Sequence, residues 1–232
     1  MTAQRADGRA GSPWRSGSAL GTLIGVTVVA LVADLVTKAM AFAMIATEPV
    51  IVRRADVLAT KNLENLIHPH QPVVVVPNVL ELTLVLNPGA VFGIGAGARW
   101  FFIIFTVLAI GFGLWMFGAW TRSRDSMAHA AIGLLIAGGL GNLYDRLRFA
   151  CVRDFLHPLP DVHLPFGWRL PGQSTGEIWP YVSNVADLWL LIGIALLMIH
   201  LWRSGGSGKG ESKRVRGASA RRHPPRAGVR AA

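Results

Sequence analysis

The chain has 232 residues, 52% of them hydrophobic and 16% charged, and 23 Lys and Arg against 13 Asp and Glu give a net charge of +10. That composition is too apolar for an ordinary soluble domain, and the apolar residues are bunched into long runs. The single Cys151 excludes an internal disulfide and a multi-cysteine metal site, and reads as a small inert residue.

Residues 1–18 form a basic N-terminal arm with Arg5, Arg9 and Arg15. The first apolar run, Ala19 to Ala46, is interrupted by Asp34 and Lys38, which lie i,i+4 on one helix face. Ala39-Met40-Ala41 has signal-peptide spacing, but the long apolar core and the Lys just before it argue against cleavage. Residues 46–71 read as an irregular loop. Val73 to Leu86 (VVVVPNVLELTLVL) is rich in β-formers and partly alternates, which predicts a small sheet. Trp100 to Trp120 carries no charge and is long enough, about 31 Å as a helix, to cross a bilayer core of roughly 30 Å.

Ser126 to Tyr144 is a third span, containing His129 but no Lys, Arg or acidic residue. It runs through Gly138, Gly139 and Gly141, which suit close helix packing, into the charged stretch Asp145 to Asp154. Residues 157–180, marked by prolines, read as a second irregular loop. Tyr181 to Trp202 is the fourth span, with Asp187 near its start. From 204 to 232 the chain is rich in Gly, Ser and Arg and is expected to be a disordered basic tail. The predicted fold is an all-α polytopic membrane protein with four transmembrane helices, residues 19–203, and a small extracytoplasmic sheet.

Basic residues set the topology. Three Arg in the N-terminal arm, Arg122 and Arg124 between the second and third spans, and the basic tail all fall on one side. The loops at about 47–98 and 146–182 are close to charge-balanced. Both termini are therefore expected to be cytoplasmic and both long loops outside. The tail's charge fits anionic lipid head groups or a solvated topology signal; nucleic-acid binding is not expected, since no folded or aromatic scaffold accompanies it.

On that topology Asp34 and Lys38, Asn87, the Asn142–Asp145–Arg146 end of the third helix, and Asn184 with Asp187 all arrive at one membrane level. Each has a bland reading alone: an ion pair, snorkelling charges, or Asn184 capping the fourth helix. None of those readings requires the segments to meet. Two carboxylates gathered in a low-dielectric site share a proton, which suits general acid–base hydrolysis without metal or nucleophile. Composition favours Asp145 and Asp154 equally for that role. HExxH is absent, the loop histidines lack a ligand pattern, and no Lys is placed for a Ser–Lys dyad, so no cofactor or metal is expected. The alternative function is a transporter or proton relay using buried Asp residues.

From Leu20 to Trp202 the chain resembles the bacterial lipoprotein signal peptidases (signal peptidase II). The resemblance rests on Asp34-Leu-Val-Thr-Lys38, Asn87-Pro-Gly-Ala-Val-Phe-Gly93, Gly138-Gly-Leu-Gly-Asn-Leu-Tyr-Asp-Arg146 continuing to Val152-Arg-Asp-Phe155, and Asn184-Val-Ala-Asp187. It implies a membrane aspartic endopeptidase with a β-cradle, in the bacterial cytoplasmic membrane, cutting diacylglyceryl-modified prolipoproteins before the lipidated Cys. It implies Asp154 and Asp187 as the catalytic pair. It also implies that Asp34, Lys38, Asn87, Gly89, Asn142, Asp145, Arg146 and Asn184 shape the site, and that globomycin is an inhibitor. Asp145, followed by Arg146, suits an ordering ion pair. The chain departs from the family pattern at Leu86, Val91, Ala150, Arg153 and Ser183, and its outer loops are long. Arg153 either points inward, where it would act on the pair, or snorkels outward.

Overall fold

The computed structural model describes residues 11–89, 99–169 and 176–220, with side chains described as far as 204 in the last stretch. Four helices are long and apolar enough to span a membrane: α1 (Gly17–Met44), α3 (Arg99–Trp120), α4 (Ser126–Arg148) and the first part, Val185–Ser204, of α5 (Val185–Ala220). A short helix, α2 (Arg54–Ala59), breaks the loop expected to be irregular. Helix α4 continues a turn past the expected Tyr144, so Asp145 and Arg146 are helical. The backbone of α5 stays helical to Ala220 inside the segment expected to be a disordered tail; the rest of that tail, 221–232, lies outside the described residues, as do 1–10 of the arm and 90–93 of the Asn87 motif.

Helix α4 is the most enclosed span and packs against α1, α3 and α5. Its glycines make this possible. A Cβ on Gly138 would sit 2.5 Å from the Ala186 carbonyl, and one on Gly141 would collide with the Asp34 carboxylate. Gly139 instead faces Ile110 and Thr106 of α3 at ordinary contact distance, so the close-packing expectation holds for two glycines of the three. Trp189 Nε1 donates to the Ala30 carbonyl (3.0 Å), tying α5 to α1. Away from the sheet, Leu23, Met116, Phe117, Ile132 and Ile136 form a dry core, and His129 pairs with Thr121 beside it.

The sheet has three antiparallel strands in the order β1 (Val73–Val76), β2 (Leu80–Asn87), β3 (Val152–Pro158). The first two lie where the alternating pattern put them. They are joined by a Pro77-Asn78 turn in which Asn78 takes the left-handed conformation (φ 56°). The third strand was not legible, because four consecutive residues, Val152 to Phe155, are buried and the polar/apolar alternation is lost. It forms because α4 is stopped at Phe149 and the chain reverses through Ala150, whose φ of 68° is left-handed. That position usually takes Gly, since a Cβ there costs roughly 1–2 kcal/mol. Leu84, Leu86 and Phe155 pack on Ala41, Phe42, Val50 and Val57, which seats the sheet on the end of α1.

Candidate active site

The site grows from the Asp34–Lys38 pair on α1, whose charged atoms lie 2.9 Å apart with both side chains fully buried. A buried ion needs further partners to offset lost hydration. Asp34 takes one from the Ala186 N–H (2.8 Å), at the start of α5. Lys38 donates to Asn142 Oδ1 (3.0 Å) and lies 3.5 Å from Asp145, both on α4. The three helices are thus cross-linked at one level.

Asp145 pairs with Arg153 as well as Lys38. Arg153 Nη2 and Nε reach its carboxylate at 2.8 and 3.2 Å, and the Arg153 backbone N–H adds a third bond of 3.0 Å. The guanidinium also covers the Phe149 ring at 4.4 Å. Arg153 therefore neither points at the carboxyl pair nor snorkels; it fastens the start of β3 to the end of α4. The ion pair expected of Asp145 exists, but its partners are Lys38 and Arg153. Arg146 instead lies over Phe102 (5.1 Å) and bonds the Asn142 carbonyl (3.3 Å), within electrostatic reach of Asp154 and Asp187.

With its neighbour clamped, Asp154 meets two amides: Asn184 Nδ2 donates to Oδ1 (2.5 Å) and Asn87 Nδ2 to Oδ2 (3.1 Å). Asn184 also caps α5. Its Oδ1 accepts from the Asp187 N–H (3.1 Å), and the Asp187 carboxylate accepts from the Asn184 N–H (3.2 Å), a reciprocal capping arrangement. Capping and site contact, which the sequence left as alternatives, are both made by this one residue. Asn142 Nδ2 completes the ring with a 2.8 Å bond to Asp187, and its Oδ1 accepts from Asn184 (3.1 Å).

The two carboxyls differ in surroundings. Asp154 is 2% exposed, whereas Asp187 is half-buried. Burial, reinforced by the charge of Asp187, pushes the Asp154 carboxyl up to about 7, against the opposing pull of the Asn184 and Asn87 bonds. Below about pH 7 the buried side of the pair, Asp154, therefore holds a proton. Burial also pushes the Cys151 thiol up to about 12, which removes it as a nucleophile.

Gly89 shapes rather than lines the site. Its N–H closes a turn onto Asn87 Oδ1 (2.9 Å), its φ is 94°, and a Cβ would strike the Phe102 ring at 2.8 Å. Ser183, a departure from the family pattern, holds β3 against the α5 cap: its carbonyl accepts from Phe155 and Leu156 (both 2.8 Å), and its N–H (2.8 Å) and hydroxyl (3.2 Å) both donate to the Leu156 carbonyl. Sequence reasoning read Ser183 only as a departure from the pattern, because its bonds from the backbone leave no signature and a lone hydroxyl does not name its partner. Among the described residues no group of three or more His, Cys, Asp or Glu is arranged to hold a metal ion.

The family model for Signal peptidase (SPase) II matches residues 26–203. The chain is 37% identical over 139 residues to the lipoprotein signal peptidase of Syntrophotalea carbinolica, covering 59% of this chain and 76% of that protein. It is 38% identical over 133 residues to the lipoprotein signal peptidase of Halothermothrix orenii, covering 57% of this chain and 77% of that protein. A solved bacterial membrane enzyme superposes with a TM-score of 0.57 at 26% identity, covering 81% of this chain and 92% of the other.

Proposed function

The chain belongs to the signal peptidase II family, multi-pass membrane peptidases that remove signal peptides from lipoprotein precursors, and from that premise we propose that Asp154 and Asp187 are its catalytic pair. One observation carries the assignment: a single residue, Asn184, bonds Asp154 and caps the turn that holds Asp187. Asp187, the more open carboxylate, takes a proton from a water that attacks the scissile carbonyl. Asp154, holding its proton by burial, donates it to the carbonyl oxygen. Collapse of the tetrahedral adduct breaks the C–N bond: the proton gained by Asp187 goes to the leaving amine, and one hydroxyl proton of the adduct returns to Asp154 as the carbonyl re-forms. Asp34, Lys38, Asn142, Asp145 and Arg153 hold this pair in place, while Asn87 and Arg146 form its mouth and Gly89 shapes the turn that carries Asn87. The transport reading is set aside by the family membership.

In this reading the substrate is a diacylglyceryl-modified prolipoprotein, and the leaving amine is that of its lipidated Cys. The enzyme sits in the bacterial cytoplasmic membrane with both termini cytoplasmic, its site near the extracytoplasmic face and its basic tail beside anionic lipids. The charge asymmetry of arm, short loop and tail supports that orientation. Globomycin, through the family resemblance, would occupy the same mouth.

The test is a gel-shift assay of purified protein with a diacylglyceryl-modified prolipoprotein, with and without globomycin. The wild type should cleave, Asp154→Asn and Asp187→Asn should lose cleavage by at least about 10³-fold while still inserting, and globomycin should block turnover. Near-normal cleavage by either folded variant removes that residue from the pair.

A further inference from the structure

We propose that the β1–β2 hairpin is itself a membrane-contacting surface, resting in the leaflet on the sheet side, with an acyl chain of a bilayer phospholipid filling the cleft between the hairpin and α1. From Gln71 to Leu80 there is no ionisable residue. All four residues of β1 are exposed, Val73 to Val76 at 45–60%, and Val79 at the turn is 52% exposed. Successive strand residues face opposite sides, so β1 is apolar and exposed on both faces and turns no polar face to water. β1 is also the edge of the sheet. Soluble proteins protect such an edge with Lys or an inward charge. Here there are only Pro72 and Pro77, which remove backbone donors at its two ends.

The neighbourhood says what covers this surface. Beside Val73 and Leu82 lies an open cleft of about 360 Å³, whose other wall is Met40, Ala41 and Met44 of α1. Thr37, at its inner end, turns its hydroxyl to the Ala33 carbonyl (2.7 Å) and so offers the cleft no free polar group. Met40 and Met44 are 52% and 72% exposed on a spanning helix, so the cleft opens on the lipid-facing side of α1 and continues it. The cleft runs along α1 from Thr37 to its last residue, Met44, about 11 Å of rise, which sets the hairpin at the end of the span, where acyl chains give way to head groups. At that depth the unpaired edge of β1 still finds water and head-group partners, which it would lack in the hydrocarbon core. The inference stands on the spans and the hairpin, independently of the catalytic pair.

Spin labels placed by Val75→Cys, with Met44→Cys and Lys61→Cys as lipid and water references, test it in phosphatidylethanolamine–phosphatidylglycerol vesicles. Cys151 is buried and does not compete for the label. The ratio of oxygen to nickel-chelate collisions at Val75→Cys should match Met44→Cys and exceed Lys61→Cys by about fivefold or more. A ratio equal to that of Lys61→Cys places the hairpin in water and overturns the proposal. Spin–spin broadening that survives dilution into excess lipid shows a second copy on the edge and overturns it too. Independently, Val74→Asp/Val75→Asp should lower precursor cleavage about tenfold in vesicles and leave it unchanged in detergent micelles, because only the bilayer resists the charge. Equal activity in both media overturns the proposal.

Discussion

Replacing Arg153 by Met tests the one charge the sequence could not place. The guanidinium and the Asp145 carboxylate are 10% and 0% exposed, so removing the cation leaves a carboxylate that water cannot reach. Breaking a buried pair in this way costs about 3–5 kcal/mol when nothing else compensates. Lys38, 3.5 Å from the same carboxylate, and the Arg153 backbone N–H both remain, which puts the expectation at the low end, about 3 kcal/mol. Asp145→Leu alone should cost about as much, because Arg153 then loses its anion and Lys38 keeps only Asp34. The double variant should cost much less than the sum, since an apolar pair replaces an ionic one. Reversible unfolding in mixed micelles, followed by helical circular dichroism as SDS is titrated in, gives the four corners of the cycle. Cleavage kinetics on the same proteins should show Arg153→Met lowering kcat more than raising KM, because the start of β3, and Asp154 with it, is no longer fixed. A single variant within about 0.5 kcal/mol of wild type, with no coupling to Asp145, would place the guanidinium in solvent and refute the clamp.

The remaining expectations concern the carboxyl pair and its supports. Asp154 binds its proton more tightly folded than unfolded, so this contribution to stability is complete below about pH 4 and is lost as pH rises through about 7. A rise from an ordinary 3.8 to about 7 corresponds to about 4 kcal/mol, so Asp154→Asn should gain that much relative to wild type between pH 4 and pH 8, and wild-type cleavage should fall above pH 7. Equal pH dependence of unfolding in the two proteins counts against the burial argument. Gly141→Ala drives a methyl into the Asp34 carboxylate and should abolish activity, whereas Gly139→Ala, facing open contacts on α3, should be tolerated; equal effects in a cleavage assay would contradict the packing described. Asn142→Asp removes the amide donor to Asp187 while giving Lys38 a new anion, so it should insert normally yet lose cleavage by about 10²-fold or more. Retained turnover would make that bond incidental.

The four spans were legible because a bilayer demands about 20 apolar residues in a row, a signal that survives interruption by Asp34 and Lys38. The convergence of polar groups was legible too, since helix direction alternates from span to span and fixes which residues share a level. What the sequence could not supply was direction within that level. Arg153 follows no helix period, and its role depends on a chain reversal at Ala150 that an Ala does not announce. β3 stayed hidden because it is buried on both faces, so Val152 to Phe155 do not alternate. Asn184 was read as either cap or site residue because a sequence shows one side chain but not its three polar contacts.

The arrangement separates charge from proximity. Asp34, Lys38, Asp145 and Arg153 make a layer of two anions and two cations with no net charge, which offsets the cost of burying any one of them. Contact with the proposed catalytic pair is then made by amides, Asn142, Asn184 and Asn87. An amide fixes a carboxyl by hydrogen bonds without bringing a full positive charge to it. A lysine or arginine in the place of Asn184 would pull Asp154 down strongly and leave it ionised, with no acid for the carbonyl oxygen. Lys38 is one amide removed from the pair, near enough to orient Asn142 and distant enough that burial still governs Asp154. The polar residues that interrupt the spans therefore divide into those that carry charge and those that pass on geometry, and the asymmetry between Asp154 and Asp187 depends on keeping the two sets apart.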